Sequence, residues 1–194
     1  MQSISRKDLV MLLVGLGENR SVADGLGGIT RLQKYLYVLL EEEAVRPSGD
    51  GFGFEAYDYG PYSSKLYDDL EYLENLGYLR SRVTGEASEP EELELDALKF
   101  EDLLGDDSDV HPAAPPEESR EERMFAVTEK GRARVQALLD DPQVADVVQG
   151  VRKVKSRFAS HSLKDLLYYV YKKYPEMTTE SEIRNKVLGR KNGR

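Results

Sequence analysis

The run Tyr57-Asp58-Tyr59-Gly60-Pro61-Tyr62-Ser63-Ser64-Lys65-Leu66-Tyr67 cannot be one regular element. Glycine admits backbone angles closed to other residues, and proline fixes φ and has no N–H to donate. The pair Gly60-Pro61 therefore predicts a sharp turn, with Pro61 in the first turn of the helix that follows, where a missing N–H costs nothing. Leu66, Leu70 and Leu73 mark the inner face of that helix, and Leu76-Gly77 marks its end, with glycine at C′. Tyr78 to Thr84 alternates apolar and basic residues as a strand, and Met124 to Val127 is its natural partner. Thr128-Glu129-Lys130-Gly131 then caps a further helix to about Leu139.

Helix, strand, strand, helix is the order of a winged helix-turn-helix. The rest of the chain extends it. Ser5 with Asp8 caps an amphipathic first helix that buries Leu9, Leu12, Leu13 and Leu16. A second helix from Ile29 to about Glu43 turns Leu32, Leu36, Leu39 and Leu40 inward and Arg31 and Lys34 outward. Phe52, Phe54 and Ala56 form an extended link. After Asp141-Pro142, one stripe carries Val144, Val147, Val148, Val151, Val154 and Phe158. Ser162 with Asp165 caps the next helix, which Pro175 ends, and Thr179 with Glu182 caps a short last one. The expected class is α+β, mostly helical. A winged domain spans 5–139, a helical extension 141–188 and a basic tail 189–194.

Net charge is distributed unevenly. The segment 85–122 holds 15 acidic and 2 basic residues, whereas 150–194 holds 12 basic and 4 acidic. With Pro112, Pro115 and Pro116, the acidic segment cannot bury enough apolar surface to order itself, its Leu93 to Leu104 cluster excepted. It falls inside the wing. An acidic tether beside basic strands would compete with polyanions, or else serve only as a solubilising loop. The low isoelectric point thus says little about any binding surface.

Two stretches resemble a known family. Gly28-Ile29-Thr30-Arg31-Leu32-Gln33-Lys34-Tyr35-Leu36-Tyr37, together with the Phe54 to Tyr67 stretch and its Tyr-Gly-Pro, is similar to the Panacea domain of SocA-like antitoxins and to related prokaryotic winged-helix proteins. The resemblance covers roughly residues 5 to 84, and it implies a non-enzymatic role: neutralising a partner protein or regulating transcription.

The residues themselves point first to duplex DNA. Ser63, Ser64 and Lys65 at a helix start suit phosphate, as do Arg80, Arg82 and Arg123 on the wing, with Arg31 and Lys34 adding backbone contacts. A plain helix start and solvated strand faces explain the same residues without a ligand. Asp68, Asp69, Glu71 and Glu74 present phosphate with the wrong sign, so only the first turn of that helix would reach DNA. The alternative is a protein-binding antitoxin or adaptor, with a toxin as cognate partner. Tyr59, Tyr62 and Tyr67, in a cluster with Tyr57 and Tyr72, suit a protein patch. The basic Arg152, Lys153, Lys155, Arg157, Lys172 and Lys173 either meet a polyanion or face the acidic segment. The 144–158 stripe is either core or a homodimer seam.

Catalysis has no foothold. The chain has no cysteine, which excludes disulfides, thiol catalysis and Cys-ligated metal. His111 and His161 lie apart, in surface contexts. Tyr168 and Lys172 share a reductase spacing, but no dinucleotide-binding strand-glycine-helix unit accompanies them. Gly25-x-Gly27-Gly28 follows no hydrophobic strand. No metal or cofactor is expected, no apolar run approaches a membrane span, and the expected compartment is the cytoplasm.

Overall fold

The computed structural model describes residues 4–17, 28–83 and 123–189. The acidic segment with its Leu/Phe cluster and His111, the Gly25 to Gly27 loop and the tail from Arg190 lie outside the described residues. The class is α+β and mostly helical. Among the described residues there are seven α-helices and one antiparallel hairpin. In chain order they are α1 (Arg6–Gly15), α2 (Ile29–Glu42), α3 (Ser64–Asn75), β1 (Leu79–Val83), β2 (Arg123–Val127), α4 (Glu129–Asp140), α5 (Ala145–Phe158), α6 (Leu163–Lys173) and α7 (Arg184–Leu188). Short 3-10 turns occupy Pro142–Val144 and Pro175–Thr178.

The first helix is the hub. Ser5 caps it as expected, accepting from the Asp8 N–H at 3.0 Å. Its expected amphipathic pattern does not hold, because every residue from Leu9 to Gly15 is buried. Helices α2, α3, α4 and α5 and strand β2 all pack against it, so beyond its first turn it has no wet side. Val10, Met11 and Val14 are therefore core residues along with the leucines.

Helix α2 packs against both α5 and α6. The stripe from Val144 to Phe158 is buried throughout, 0–7% exposed, and belongs to the core. Residues 141–188, expected as an extension, feed the same apolar cluster as α1 to α4. Ser162 and Asp165 form the expected capping box on α6. Thr179 and Glu182 do not cap the last helix. It starts at Arg184, after Ile183, because two turns occupy the chain between, closed by the Ser181 N–H on the Thr178 carbonyl and the Arg184 N–H on the Ser181 carbonyl.

The hairpin pairs Leu79 with Val127, Arg80 with Ala126, Ser81 with Phe125, Arg82 with Met124 and Val83 with Arg123. Side chains alternate across a strand. Leu79, Phe125 and Val127 enter the core, while Arg80 and Arg82 occupy the opposite, exposed face. Arg123 sits at the exposed end of the core-facing row, so the three arginines do not share one face.

At the base of the hairpin, Thr128 caps α4 by accepting from the Gly131 N–H at 3.1 Å. Gly131 is required there by proximity. A Cβ on it would lie 2.1 Å from the Tyr78 carbonyl oxygen, a backbone atom that cannot rotate away. Gly131→Ala should therefore destabilise the fold by about 2 kcal/mol, by forcing α4 off the hairpin. Urea unfolding should show a lower midpoint with an unchanged slope. A variant as stable as the parent would contradict this packing.

Candidate functional site

Helix α3 is fastened at its start, middle and end by polar side chains from α2, α1 and α4. At the start, the Gln33 amide donates to the Ser63 carbonyl at 3.0 Å, and its side-chain oxygen accepts from the Ser63 N–H at 3.1 Å. The adjacent Lys34 amine donates to the Pro61 carbonyl at 2.9 Å, and the Ser63 hydroxyl donates to the Phe52 carbonyl at 2.6 Å. Gln33, Lys34 and Ser63 are only 3%, 2% and 0% exposed. Buried backbone groups outside helices and ladders need partners from elsewhere, and these side chains supply them.

This arrangement corrects three sequence expectations. Lys34 does not face outward, because the 52–63 segment lies over its side of α2. Ser63 is internal and spends its hydroxyl on Phe52, so neither residue can reach a phosphate. Pro61 precedes the helix instead of opening it. Glu55 and Tyr62 form an antiparallel bridge, with reciprocal N–H to carbonyl bonds of 2.9 Å, that keeps residues 61–63 extended until Ser64.

The turn before Pro61 is as the sequence demands. The Gly60 N–H closes it on the Tyr57 carbonyl at 2.8 Å, and Gly60 has φ of +78°. A Cβ on Gly60 would also lie 2.9 Å from Cε1 of Tyr171, a fully buried ring of α6. The Tyr171 hydroxyl bonds Ser181 Oγ at 2.8 Å, and that hydroxyl donates to the Asp58 carbonyl at 2.8 Å.

In the middle of α3, Asp69 receives both Arg6 Nε and Lys7 Nζ at 3.0 Å. It is 1% exposed, so it belongs to the interior and not to an acidic outer face. At the end, Gly77 and Tyr78 close the helix with N–H bonds to the Glu74 and Leu73 carbonyls, the Schellman pattern. Thr128 Oγ1 donates to the Gly77 carbonyl at 2.6 Å, and Lys130 Nζ donates to the Leu76 carbonyl at 2.8 Å. The Thr-Glu-Lys-Gly motif thus secures the end of α3 as well as opening α4.

What α3 leaves in solvent is Ser64, Tyr67, Asp68, Glu71, Tyr72 and Asn75. Beside its first turn, three tyrosines form a tilted stack, with neighbouring rings inclined at 31° and 42°. The Tyr57 and Tyr62 ring centroids are 4.8 Å apart, and those of Tyr62 and Tyr67 5.7 Å apart. Burial and its tyrosine neighbours push the Tyr67 phenol up to about 12. Tyr59, expected in this patch, is half-buried and packs on the core, and Tyr57 holds the position in the stack.

The expected cations are dispersed. Ser64 is exposed at the α3 start. Lys65 is half-buried, its amine 3.8 Å from where a Cβ on Gly53 would sit. Arg80 follows the far end of α3, beyond a rise of about 15 Å from Lys65 to Asn75. Arg31 donates to the His161 carbonyl at 3.0 Å, and the exposed His161 ring packs edge-on against Phe158. Lys172 lies over the Tyr168 ring, 5.8 Å from its centroid.

Much of the basic C-terminal third is committed within the chain. Lys155, on α5, donates to the Leu13 and Leu16 carbonyls at the end of α1. Burial lowers its amine to about 8. Lys153 pairs with Glu43 at 2.8 Å. Glu42 receives the Tyr169 hydroxyl at 2.7 Å, the Tyr174 hydroxyl and Lys173 at 3.0 Å, and Arg157. Burial would raise the Glu42 carboxyl, but Tyr169, Arg157, Lys173 and Tyr174 outweigh it and hold it at about 2. Sequence reasoning missed this hub. Its signal was the run Glu41-Glu42-Glu43 at the C-terminal end of a helix, where the dipole disfavours negative charge unless cations arrive.

Among the described residues, no group of three or more His, Asp or Glu is placed to hold a metal ion, and no helix is long and apolar enough to cross a membrane. No protein family, curated protein or solved structure matches the chain.

Burial lowers the Lys34 amine to about 7. From about pH 7 to its ordinary value near 10.5, the unfolded chain holds a proton there that the folded chain has released. Stability from this residue must therefore rise with pH across that window. Relative to Lys34→Met, the parent should gain about 2 kcal/mol between pH 7 and pH 9, measured by urea unfolding. Parallel pH profiles would show that Lys34 stays charged.

Proposed function

We propose that this chain is a non-enzymatic winged-helix binding module of the antitoxin or adaptor class, contacting a protein through the outer face of α3 and the tyrosines beside it. One observation carries the reading. The surface that α3 turns to solvent is tyrosine and carboxylate, while Lys34 and Ser63, two of the groups expected to hold phosphate, are internal. A carboxylate-bearing helix repels a DNA backbone, whereas exposed tyrosine is a preferred residue of protein interfaces. The clamps at both ends of α3 supply the rigidity that limits the entropy cost of association.

A second reading, duplex DNA, draws support from Arg80 and Arg82, which sit two residues apart on the exposed hairpin face. A mobility-shift titration with random duplex at two salt concentrations separates the two. The protein reading predicts weak retention that Arg80→Ala/Arg82→Ala barely changes. Tight retention, with a log–log salt slope that flattens by about 1.8 in the double variant, would favour DNA instead.

A further inference from the structure

The three stacked tyrosines carry a charge pattern that narrows the kind of partner. Glu55 lies directly opposite Tyr62 in their two-bond bridge, so the two side chains project from the same face. Asp58 follows Tyr57, and Asp68 follows Tyr67. Glu55 and Asp68 are exposed and form no salt bridge among the described residues. Asp58, Glu182 and Glu55 add to burial in raising the Tyr57 phenol, and Tyr57, Glu55 and Asp68 do the same for Tyr62. Glu55 and Asp68 thus place two exposed carboxylates beside the rings.

Four tyrosines in or on the core differ. Tyr35, Tyr169, Tyr171 and Tyr174 each hydrogen-bond within the chain, while the buried Tyr37 packs edge-on against Phe54 and Tyr174. Tyr57, Tyr62 and Tyr67 spend no hydroxyl on any described residue. Tyr67 is exposed and Tyr57 and Tyr62 are half-buried, with the Glu55 and Asp68 carboxylates alongside.

Such a surface suits cations. The negative face of an aromatic ring attracts a guanidinium or ammonium group, and an adjacent carboxylate can take its N–H bonds. The chain already uses this chemistry internally. Lys130 lies 4.2 Å from the Tyr78 ring centroid, and Lys7 lies 4.7 Å from that of Tyr72 while pairing with Asp69. A planar guanidinium stacks on a ring better than a lysine amine does, and it still presents its edge to a carboxylate.

We propose that the Tyr57–Tyr62–Tyr67 stack, with Glu55 and Asp68, binds arginine side chains of an extended segment of a partner protein. The inference rests on the protein-binding reading above and gives that partner its chemistry.

The probe is a synthetic peptide of alternating arginine and glycine, titrated by calorimetry against the full chain at physiological salt, with a citrulline counterpart that keeps the shape and loses the charge. Tyr67→Ala, and separately Glu55→Gln/Asp68→Asn, should each weaken arginine-peptide binding about fivefold or more. A charge control of equal size elsewhere, Glu129→Gln/Asp146→Asn, should change it less than about twofold, and the citrulline peptide should not bind. Circular dichroism melts of each variant confirm that the fold is retained. Losses equal to those of the charge control, or no binding of the arginine peptide, would overturn the inference. Equal binding of the citrulline peptide, lost in Tyr67→Ala, would also overturn it while leaving the face as a protein-binding surface. Peptide binding absent from a chain that retains duplex DNA through Arg80 and Arg82 would remove both.

Discussion

The structure depends on how the backbone of residues 61–63 is satisfied. This segment belongs to no helix and meets a partner strand only at Tyr62, yet Pro61 and Ser63 are buried. Each unpaired amide or carbonyl there would cost about 1–3 kcal/mol. Gln33 answers both groups of Ser63, and Lys34 answers Pro61. A primary amide can do this because it carries a donor and an acceptor side by side, as a neighbouring strand would. The consequence reaches beyond stability. Because α2 holds the chain immediately before α3, the start of α3 and the tyrosines flanking it have one position.

Charge is organised on the same principle, as internal reinforcement. Asp69 joins α3 to the start of α1, and Arg134 makes a two-point contact with Asp8 between α4 and α1. Glu42 gathers Arg157, Lys173, Tyr169 and Tyr174 onto the end of α2. A buried or half-buried carboxylate requires such company. The basic C-terminal third is thereby largely balanced within the fold, and its net charge is a poor guide to a ligand. Among the described residues, the tyrosine and carboxylate face at the head of α3 and the Arg80–Arg82 face of the hairpin keep charge that no ion pair balances.

What could be read from the sequence was what nearby residues decide. Ser5 with Asp8, Ser162 with Asp165, Gly77 at the end of α3 and Thr128 at the start of α4 are all local contacts within a few positions, and each lies where the motif placed it. The two strands of the hairpin followed from alternation between Leu79 and its basic neighbours, but their register needed the structure. Failures came where the deciding partner is remote. Lys34 reads as the polar face of α2 until residues 52–63, which begin eighteen positions later, fold over it. Nothing near Glu42 announces tyrosines more than a hundred positions away. The all-round burial of α1 reflects five neighbours that no periodicity within ten residues could reveal. The resemblance motifs, Leu-Gln-Lys and Gly-Pro-Tyr-Ser, were visible as patterns, but only the structure shows that each is the other's hydrogen-bonding partner.

Native-state hydrogen exchange at the Ser63 amide tests this most directly, since that proton sits in an extended link yet is donated to a buried side chain. The account predicts exchange nearly as slow as that of the α1 core amides. In Gln33→Met it should become fast while the α1 amides stay protected. An amide in the parent that exchanges like those of the exposed Gly49 and Asp50, or one that stays equally slow without the Gln33 amide, would contradict the claim that this contact positions α3.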